Sequence, residues 1–292
     1  MLPFKIDLTG KTVVITGGGG VLCSEFAYAL AECGANIAVL DIKLENAQGV
    51  ADKIGERAIA VQADVLSRES LESARDIISN KFGACDILIN GAGGNSPKCT
   101  TTEEYFLPEH LDATDSVNFF NILPENLRFV FDINFTGAFL TTQVFARDMI
   151  LPPSLRDTSL KEGGISKCCV INISSMNAFT PLTKIPAYSA AKSAVSNFTQ
   201  WLAVHFSRVG IRVNAIAPGF FVSEQNRALL FNEAGEPTAR ANKILAATPM
   251  GRFGEPHELL GALLWLCSYE ASSFVNGVVV PVDGGFSAYS GV

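Results

Sequence analysis

The segment TVVITGGGGVLC, residues 12–23, decides the fold: a β-branched apolar run leads into four consecutive glycines and then into a helix-forming stretch. A buried strand, a tight turn and a helix in this order open a strand–helix–strand unit with parallel strands. Glycines let the backbone approach a pyrophosphate closely, and the N-terminus of the following helix offers free N–H groups to it. The segment therefore predicts the first strand and turn of a dinucleotide-binding sheet.

The same alternation of short apolar runs and longer amphipathic stretches continues along the chain. The predicted strands are Thr12–Thr16, Asn36–Asp41, Ala58–Gln62, Ile87–Asn90, Cys168–Ile173, Arg212–Ile216 and Val278–Val282. The predicted helices are Val21–Cys33, Leu44–Ile54, Arg68–Lys81, Arg128–Met149, Ala187–Arg208 and Pro256–Ser268. This pattern predicts an α/β fold, a doubly wound Rossmann-type sheet of seven parallel strands with helices on both faces, as a single domain over residues 1–292.

Composition narrows the classes of function. With 292 residues, 48% of them hydrophobic and 17% charged, the chain can bury a large core. Its net charge of −7 argues against binding to nucleic acid or anionic membranes and favours a small-molecule substrate. The seven cysteines lack a C-x-x-C pair and the start lacks a secretory pattern, so we expect reduced thiols in a cytoplasmic protein. The three histidines lack metal-ligand spacing, and no metal is predicted.

Two segments depart from the alternation of strands and helices. Residues 94–126 form a long connection after the fourth strand, and residues 223–249 form a second insertion, expected to be helical. Both leave the carboxyl ends of strands, where doubly wound proteins bind their ligands. Ordered loops of this length tend to be functional, so the two insertions are predicted to overhang the substrate, with an oligomer contact as the alternative.

A tyrosine and a lysine supply the candidate chemistry. Tyr188 and Lys192 are four positions apart and share one face of a predicted helix, and Ser175 lies thirteen positions before the tyrosine. A neighbouring ammonium is expected to lower the pKa of the phenol, so that Tyr188 can act as general acid or base while Ser175 holds a carbonyl oxygen. The residues predict the reversible reduction of a carbonyl group.

Asp41 indicates which dinucleotide binds. It ends the second strand, near the spacing of the acidic residue that accepts hydrogen bonds from an adenosine ribose diol. A carboxylate there repels a 2′-phosphate, so NAD (NADH) is predicted and NADP is the less favoured cofactor. Lys43 is a counter-signal, because its cation could reach a phosphate. Asp64 and Val65, after the third strand, are expected at the adenine edge.

With these residues in hand, the chain resembles the short-chain dehydrogenase/reductase family over nearly its whole length. The matching segments are residues 16–23, Asp64, residues 90–93, Asn134, Ser175, residues 188–192, Pro218-Gly219 and residues 282–285. The resemblance implies a catalytic set of Asn134, Ser175, Tyr188 and Lys192, and a homotetramer. The cofactor contacts that it completes are Gly17, Gly19, Gly20, Val21, Leu22, Asp41, Ile42, Asp64, Val65, Asn90, Ala92, Gly93, Tyr188, Lys192, Pro218, Gly219, Phe221 and Ser223.

The sequence departs from the family pattern at the glycine turn. Val21 and Cys23 stand at the last two glycine places, and Gly91 replaces the second of two usual asparagines. The last glycine normally permits close packing of the helix on the strand, so Cys23 is expected to crowd this contact. Weaker cofactor binding is the expected consequence.

Within the family, the chain looks like the D-mannonate oxidoreductase (fructuronate reductase) branch. The segments that carry this resemblance are the glycine turn, the loop after Gly93 and residues 218–227. A sugar acid needs a cation for its carboxylate and amide or hydroxyl groups for its alcohols. The candidate substrate contacts are Asn95, Lys98, Ser175, Asn177, Tyr188 and Arg227, with Arg227 preferred for the carboxylate. The alternatives are a gluconate-type polyol dehydrogenase, a 3-ketoacyl reductase and a non-enzymatic scaffold that senses NADH.

Overall fold

A single sheet of seven parallel strands organises the protein. The computed structural model describes residues 5–113, 115–150, 167–222, 227 and 230–291. The strands are β1 Thr12–Thr16, β2 Asn36–Asp41, β3 Ala58–Gln62, β4 Ile87–Asn90, β5 Cys169–Ile173, β6 Arg212–Pro218 and β7 Val279–Val282. Their order in the sheet is β3-β2-β1-β4-β5-β6-β7, and every pairing is parallel. The predicted doubly wound α/β sheet is confirmed.

Nine α-helices are described, and six of them cover the two faces of the sheet. The nine are α1 Val21–Glu32, α2 Leu44–Ile54, α3 Arg68–Phe82, α4 Pro124–Phe131, α5 Gly137–Ile150, α6 Pro186–His205, α7 Ala239–Ala246, α8 Leu260–Cys267 and α9 Tyr269–Ser272. Helices α1, α2 and α8 pack on one face, and α3, α5 and α6 on the other. Because side chains alternate along a strand, Val13 and Ile15 join the first core while Val14 joins the second.

The helix predicted over Arg128–Met149 differs most from the structure. It begins earlier, at Pro124, and a π-helical turn over Asp132–Thr136 separates α4 from α5. In the second insertion the expected helix is present as α7, but residues 231–238 are not helical and form a bridge between Phe231 and Pro237. Residues 223–226, 228 and 229 lie outside the described residues. The predicted helix Pro256–Ser268 begins as a 3-10 turn over Pro256–Leu259 and continues as α8.

The outer strands of the sheet are β3 and β7. Val278 and Val282 direct their carbonyl oxygens to β6, so the backbone of Pro281 between them faces away from the sheet.

All seven cysteines are free thiols. Over the described part of the chain, no helix has the length and apolar character needed to cross a membrane.

Candidate active site

A cavity of about 590 Å³ opens at the carboxyl edge of the sheet, where the strand order reverses between β1 and β4. It is lined by most of the predicted cofactor residues, namely Gly17, Gly19, Gly20, Val21, Leu22, Asp41, Ile42, Asp64, Val65, Ala92, Gly93, Gly219 and Phe221. The residues that the sequence missed are Cys23, Asn46, Ala63, Gly91, Ile133, Ile173 and Phe220. Most of these residues are next to a predicted cofactor residue in the sequence, so the ends of the strands could have indicated them. Asn46 could not have been found in this way, because its place in the cavity depends on how α2 packs.

The glycine turn leaves the N-terminus of α1 open toward this cavity. Gly17 has φ 62°, and a Cβ on it would lie 2.9 Å from Cα of Ala92, so a side chain there would be both strained and crowded. Gly20 is the N-cap of α1 and has no side chain to occupy the first N–H groups. The free N–H groups and the close backbone approach fit an anionic pyrophosphate.

Asp41 is held in place by the backbone. Its Oδ2 accepts a hydrogen bond from the N–H of Gly19 at 3.1 Å, and its Oδ1 accepts one from the N–H of Lys43 at 3.0 Å. A Cβ on Gly19 would lie 2.4 Å from Cβ of Asn46, so the turn also packs closely on α2. The carboxylate therefore stands at the cavity wall in a fixed orientation, which fits a ribose diol.

Four predicted cofactor residues, Asn90, Tyr188, Lys192 and Pro218, are described but are not part of the cavity lining. The amide of Asn90 donates to Oγ1 of Thr142 at 2.9 Å and to Oδ1 of Asn172 at 2.8 Å, so this side chain ties β4 to α5 and β5 inside the sheet. Pro218 is buried at the end of β6. Ser223 lies outside the described residues.

Tyr188, Ser175 and Lys192 come together beside the cavity. Ser175 follows β5, and its hydroxyl faces the phenol of Tyr188 in α6 and lowers the pKa of that phenol. Nζ of Lys192, one turn further along α6, donates to the carbonyl oxygen of Ile173 at 2.8 Å and lies 5.6 Å from the centroid of the Tyr188 ring. The predicted catalytic residues are thus fixed by β5 and one face of α6.

The fourth predicted catalytic residue, Asn134, shapes the backbone. Its amide donates to the carbonyl oxygens of Val130 and Gly94, both at 2.7 Å, and its Oδ1 accepts from the N–H of Gly94 at 3.1 Å. The side chain thus binds the carbonyl oxygen of the residue four positions earlier, which in an α-helix accepts a backbone hydrogen bond. A π-helical turn forms at this point. A Cβ on Gly93 would lie 2.6 Å from Oδ1 of Asn134, so the loop after β4 depends on a glycine there.

The pKa values differ from the expectation at one point. Burial raises the pKa of Tyr188, and the hydrogen bond with Ser175 opposes that rise, so the net lowering expected from Lys192 is wrong for this structure. Burial also lowers the pKa of Lys192 to about 8, since the ammonium has left water. The phenol therefore keeps its proton at neutral pH, as a proton donor requires.

The predicted substrate residues outside the catalytic set divide into a buried one and three exposed ones. Asn177 is buried, its N–H donates to Oγ of Ser175 at 3.3 Å, and its Oδ1 has no hydrogen-bond partner among the described residues. Asn95 and Lys98 are exposed on the loop after β4. Arg227 is exposed as well, with its guanidinium 5.5 Å from the centroid of the Phe231 ring.

An ion pair joins the two insertions. Nζ of Lys243, in α7, lies 2.8 Å from Oε1 of Glu104, in the loop that follows β4. The loop is also joined to the segment before α6, where the N–H of Thr101 donates to the carbonyl oxygen of Lys184 at 2.8 Å. The insertions predicted to cover the substrate are therefore connected to each other and to the base of the helix that carries Tyr188.

Comparisons with known proteins agree with this geometry. A family model described as short chain dehydrogenase matches residues 11–233. A crystal structure with bound NAD from Haemophilus influenza, provisionally assigned as a D-mannonate oxidoreductase, is 56% identical, covers 98% of both chains and has a TM-score of 0.89. UxuB of Bacillus subtilis, described as an uncharacterized oxidoreductase, is 50% identical over the full length of both proteins. A gluconate 5-dehydrogenase from Burkholderia cenocepacia, crystallised with NADP and tartrate, is 30% identical over 98% of this chain and 99% of its own, with a TM-score of 0.78.

Proposed function

The chain belongs to the short chain dehydrogenase family and is therefore an oxidoreductase acting on CH–OH groups. On this basis we propose that it interconverts a keto sugar acid and its hydroxy acid with NAD(H). The proposed pair is D-fructuronate and D-mannonate. The observation that carries the proposal is the meeting of Ser175, Tyr188 and Lys192 beside the cavity formed by the glycine turn and Asp41. The 56% identity to the provisionally assigned D-mannonate oxidoreductase supports the substrate class.

The proposed mechanism assigns the proton to Tyr188. When bound, NADH supplies a hydride to the carbonyl carbon. The Ser175 hydroxyl donates a hydrogen bond to the carbonyl oxygen, and the phenol of Tyr188 delivers its proton to that oxygen. Lys192, held by the carbonyl of Ile173, stabilises the phenolate that remains, and the same groups run the reverse reaction.

Asp41 supports NAD over NADP as the proposed cofactor. Its carboxylate is locked at the cavity wall by two backbone N–H groups and so cannot turn away from a 2′-phosphate. Repulsion between like charges disfavours NADPH there. The NAD bound in the Haemophilus structure agrees, whereas the Burkholderia structure contains NADP.

For the substrate, Asn177 is the strongest candidate contact. Its buried and unpartnered Oδ1, two residues from Ser175, is an acceptor that a substrate hydroxyl would satisfy. Arg227 remains our first candidate for the carboxylate, because a guanidinium binds a carboxylate through two parallel hydrogen bonds. Lys98 is the second candidate. In the described structure both are exposed outside the cavity lining, so binding would have to bring them inward.

A turnover screen tests this proposal. The protein is assayed with NADH and NADPH against keto sugar acids, keto-polyols and 3-ketoacyl thioesters, and in reverse with mannonate and gluconate. We expect the highest kcat/KM for fructuronate with NADH. Faster turnover of 5-ketogluconate would favour the gluconate-type alternative, which the Burkholderia relative supports, and faster turnover of a thioester would favour a 3-ketoacyl reductase. Binding of NADH without turnover of any substrate would favour the sensing scaffold.

A further inference from the structure

Cys23 and Gly91 occupy one shared space at the cavity. Cys23 lies in the first turn of α1 and is 5% exposed, and Gly91 directly follows β4; both line the cavity. A Cβ built on Gly91 would lie 2.2 Å from Sγ of Cys23, far inside van der Waals contact. The thiol therefore fills the volume that any side chain at position 91 would need.

The backbones on both sides of this space are fixed. Oγ1 of Thr16, at the end of β1, accepts hydrogen bonds from the N–H of Gly91 at 3.2 Å and from the N–H of Ala92 at 3.3 Å. The nearby contact of Gly17 with Ala92 allows no Cβ either. Neither the end of β4 nor the glycine turn can move away without breaking these contacts, so the space holds a single small side chain.

We propose that Cys23 and Gly91 act as one complementary pair that sets the spacing between the first turn of α1 and the end of β4, and so positions the wall against which NAD(H) binds. The pair explains how a cysteine replaces the last glycine of the turn without the predicted crowding. The proposal rests on the proposed function only in naming NAD(H) as the ligand.

The chemistry of the thiol suits this place. Burial raises the pKa of Cys23 to about 12, so the side chain remains neutral at physiological pH. A neutral sulfur adds no negative charge beside the helix N-terminus that would hold a pyrophosphate. Cysteine is also small enough to fill the space, whereas a larger apolar residue would press on Gly91.

A double-mutant cycle tests the pair. The variants are Gly91→Ala, Cys23→Ala and the double variant, and the readouts are the Kd for NADH from fluorescence titration well below the Tm, and the Tm without cofactor. We expect Gly91→Ala to raise the Kd by about tenfold or more in the parent, and by about threefold or less in the Cys23→Ala background. Recovery is partial because a Cβ at position 91 also lies 2.8 Å from the carbonyl oxygen of Thr16.

A matched control separates this pair from a general effect of cysteine removal. Cys33 follows the end of the same helix, away from the cavity, so Cys33→Ala should not relieve Gly91→Ala. Equal fold-changes in the parent and in the Cys23→Ala background would overturn the proposal. If Gly91→Ala does not fold, a folded Cys23→Ala/Gly91→Ala protein supports the pair, and an unfolded one overturns it. If the parent itself does not bind NADH, the cofactor assignment fails, and the Tm cycle still decides whether the pair is coupled.

Discussion

Tyr188 concentrates the proposed chemistry in one hydroxyl group. Burial raises the pKa of the phenol, so it is protonated at neutral pH. We predict that Tyr188→Phe lowers kcat by about 10²-fold or more, because the proton donor is lost while the ring that faces Lys192 is kept. The Kd for NADH should stay within about twofold. Steady-state kinetics and fluorescence titration measure the two quantities, with Tyr289→Phe, at an exposed tyrosine, as control. Full activity of Tyr188→Phe would contradict the mechanism.

Lys192 makes stability depend on pH. Its pKa is lowered from 10.5 to about 8 by burial, so the folded protein carries a desolvated charge below pH 8. Between about pH 8 and 10.5 the unfolded chain binds more protons than the folded one, so this residue makes the free energy of unfolding rise with pH across that window. We predict that Lys192→Met is more stable than the parent by up to about 3 kcal/mol at pH 7, and that the difference shrinks toward about pH 10.5. Urea unfolding of both proteins at several pH values checks this; a constant difference would disagree.

The two insertions are elements whose connection can be tested. In the Lys243–Glu104 pair the lysine is exposed and the glutamate is partly exposed, so the contribution of the pair to overall stability is small and screened by salt. It joins α7 to the loop after β4, so breaking it should loosen the predicted cover over the substrate. We predict that Lys243→Ala and Glu104→Gln each raise the KM for the substrate by about two- to threefold with little change in kcat, and that the double variant adds nothing further.

The same assay in high salt provides the control. Salt screens an exposed ion pair, so the KM of the parent should rise toward that of the variants as ionic strength increases. Lys53→Ala, which removes an exposed lysine from α2 instead, should leave the KM unchanged. Additive effects of the two substitutions would indicate that the pair does not join the insertions.

The elements show which features a sequence predicts well. The bounds of β1 to β4 and of α2 were predicted to the residue, because β-branched runs and glycines mark them. The break between α4 and α5 was missed, because it depends on the amide of Asn134 taking a backbone carbonyl, and periodicity carries no record of such a bond. The inward direction of Asn90 and the raised pKa of Tyr188 were missed for a similar reason: both follow from burial against distant elements.

At the scale of the whole molecule, an exposed apolar surface is available for a contact between proteins, and the homotetramer stays a prediction. Large apolar side chains between residues 105 and 129 are exposed, including Tyr105, Phe119 and Phe120 at 75%, 73% and 65%. Surfaces of this kind usually mark contacts between proteins. We predict a mass of about 125 kDa in light scattering, corresponding to four chains of 31.2 kDa. A mass of one chain, unchanged over a wide range of concentration, would rule out the tetramer.

Pro281 bears on how the protein avoids unwanted association. An outer strand normally presents a row of unpaired N–H and C=O groups, which can recruit a strand from another molecule. Because the backbone of Pro281 faces outward from β7 and proline has no N–H, one of the two outward donor positions of this short strand is missing. Strand addition at β7 would therefore lack one hydrogen bond, which disfavours pairing of this edge with a strand of another molecule.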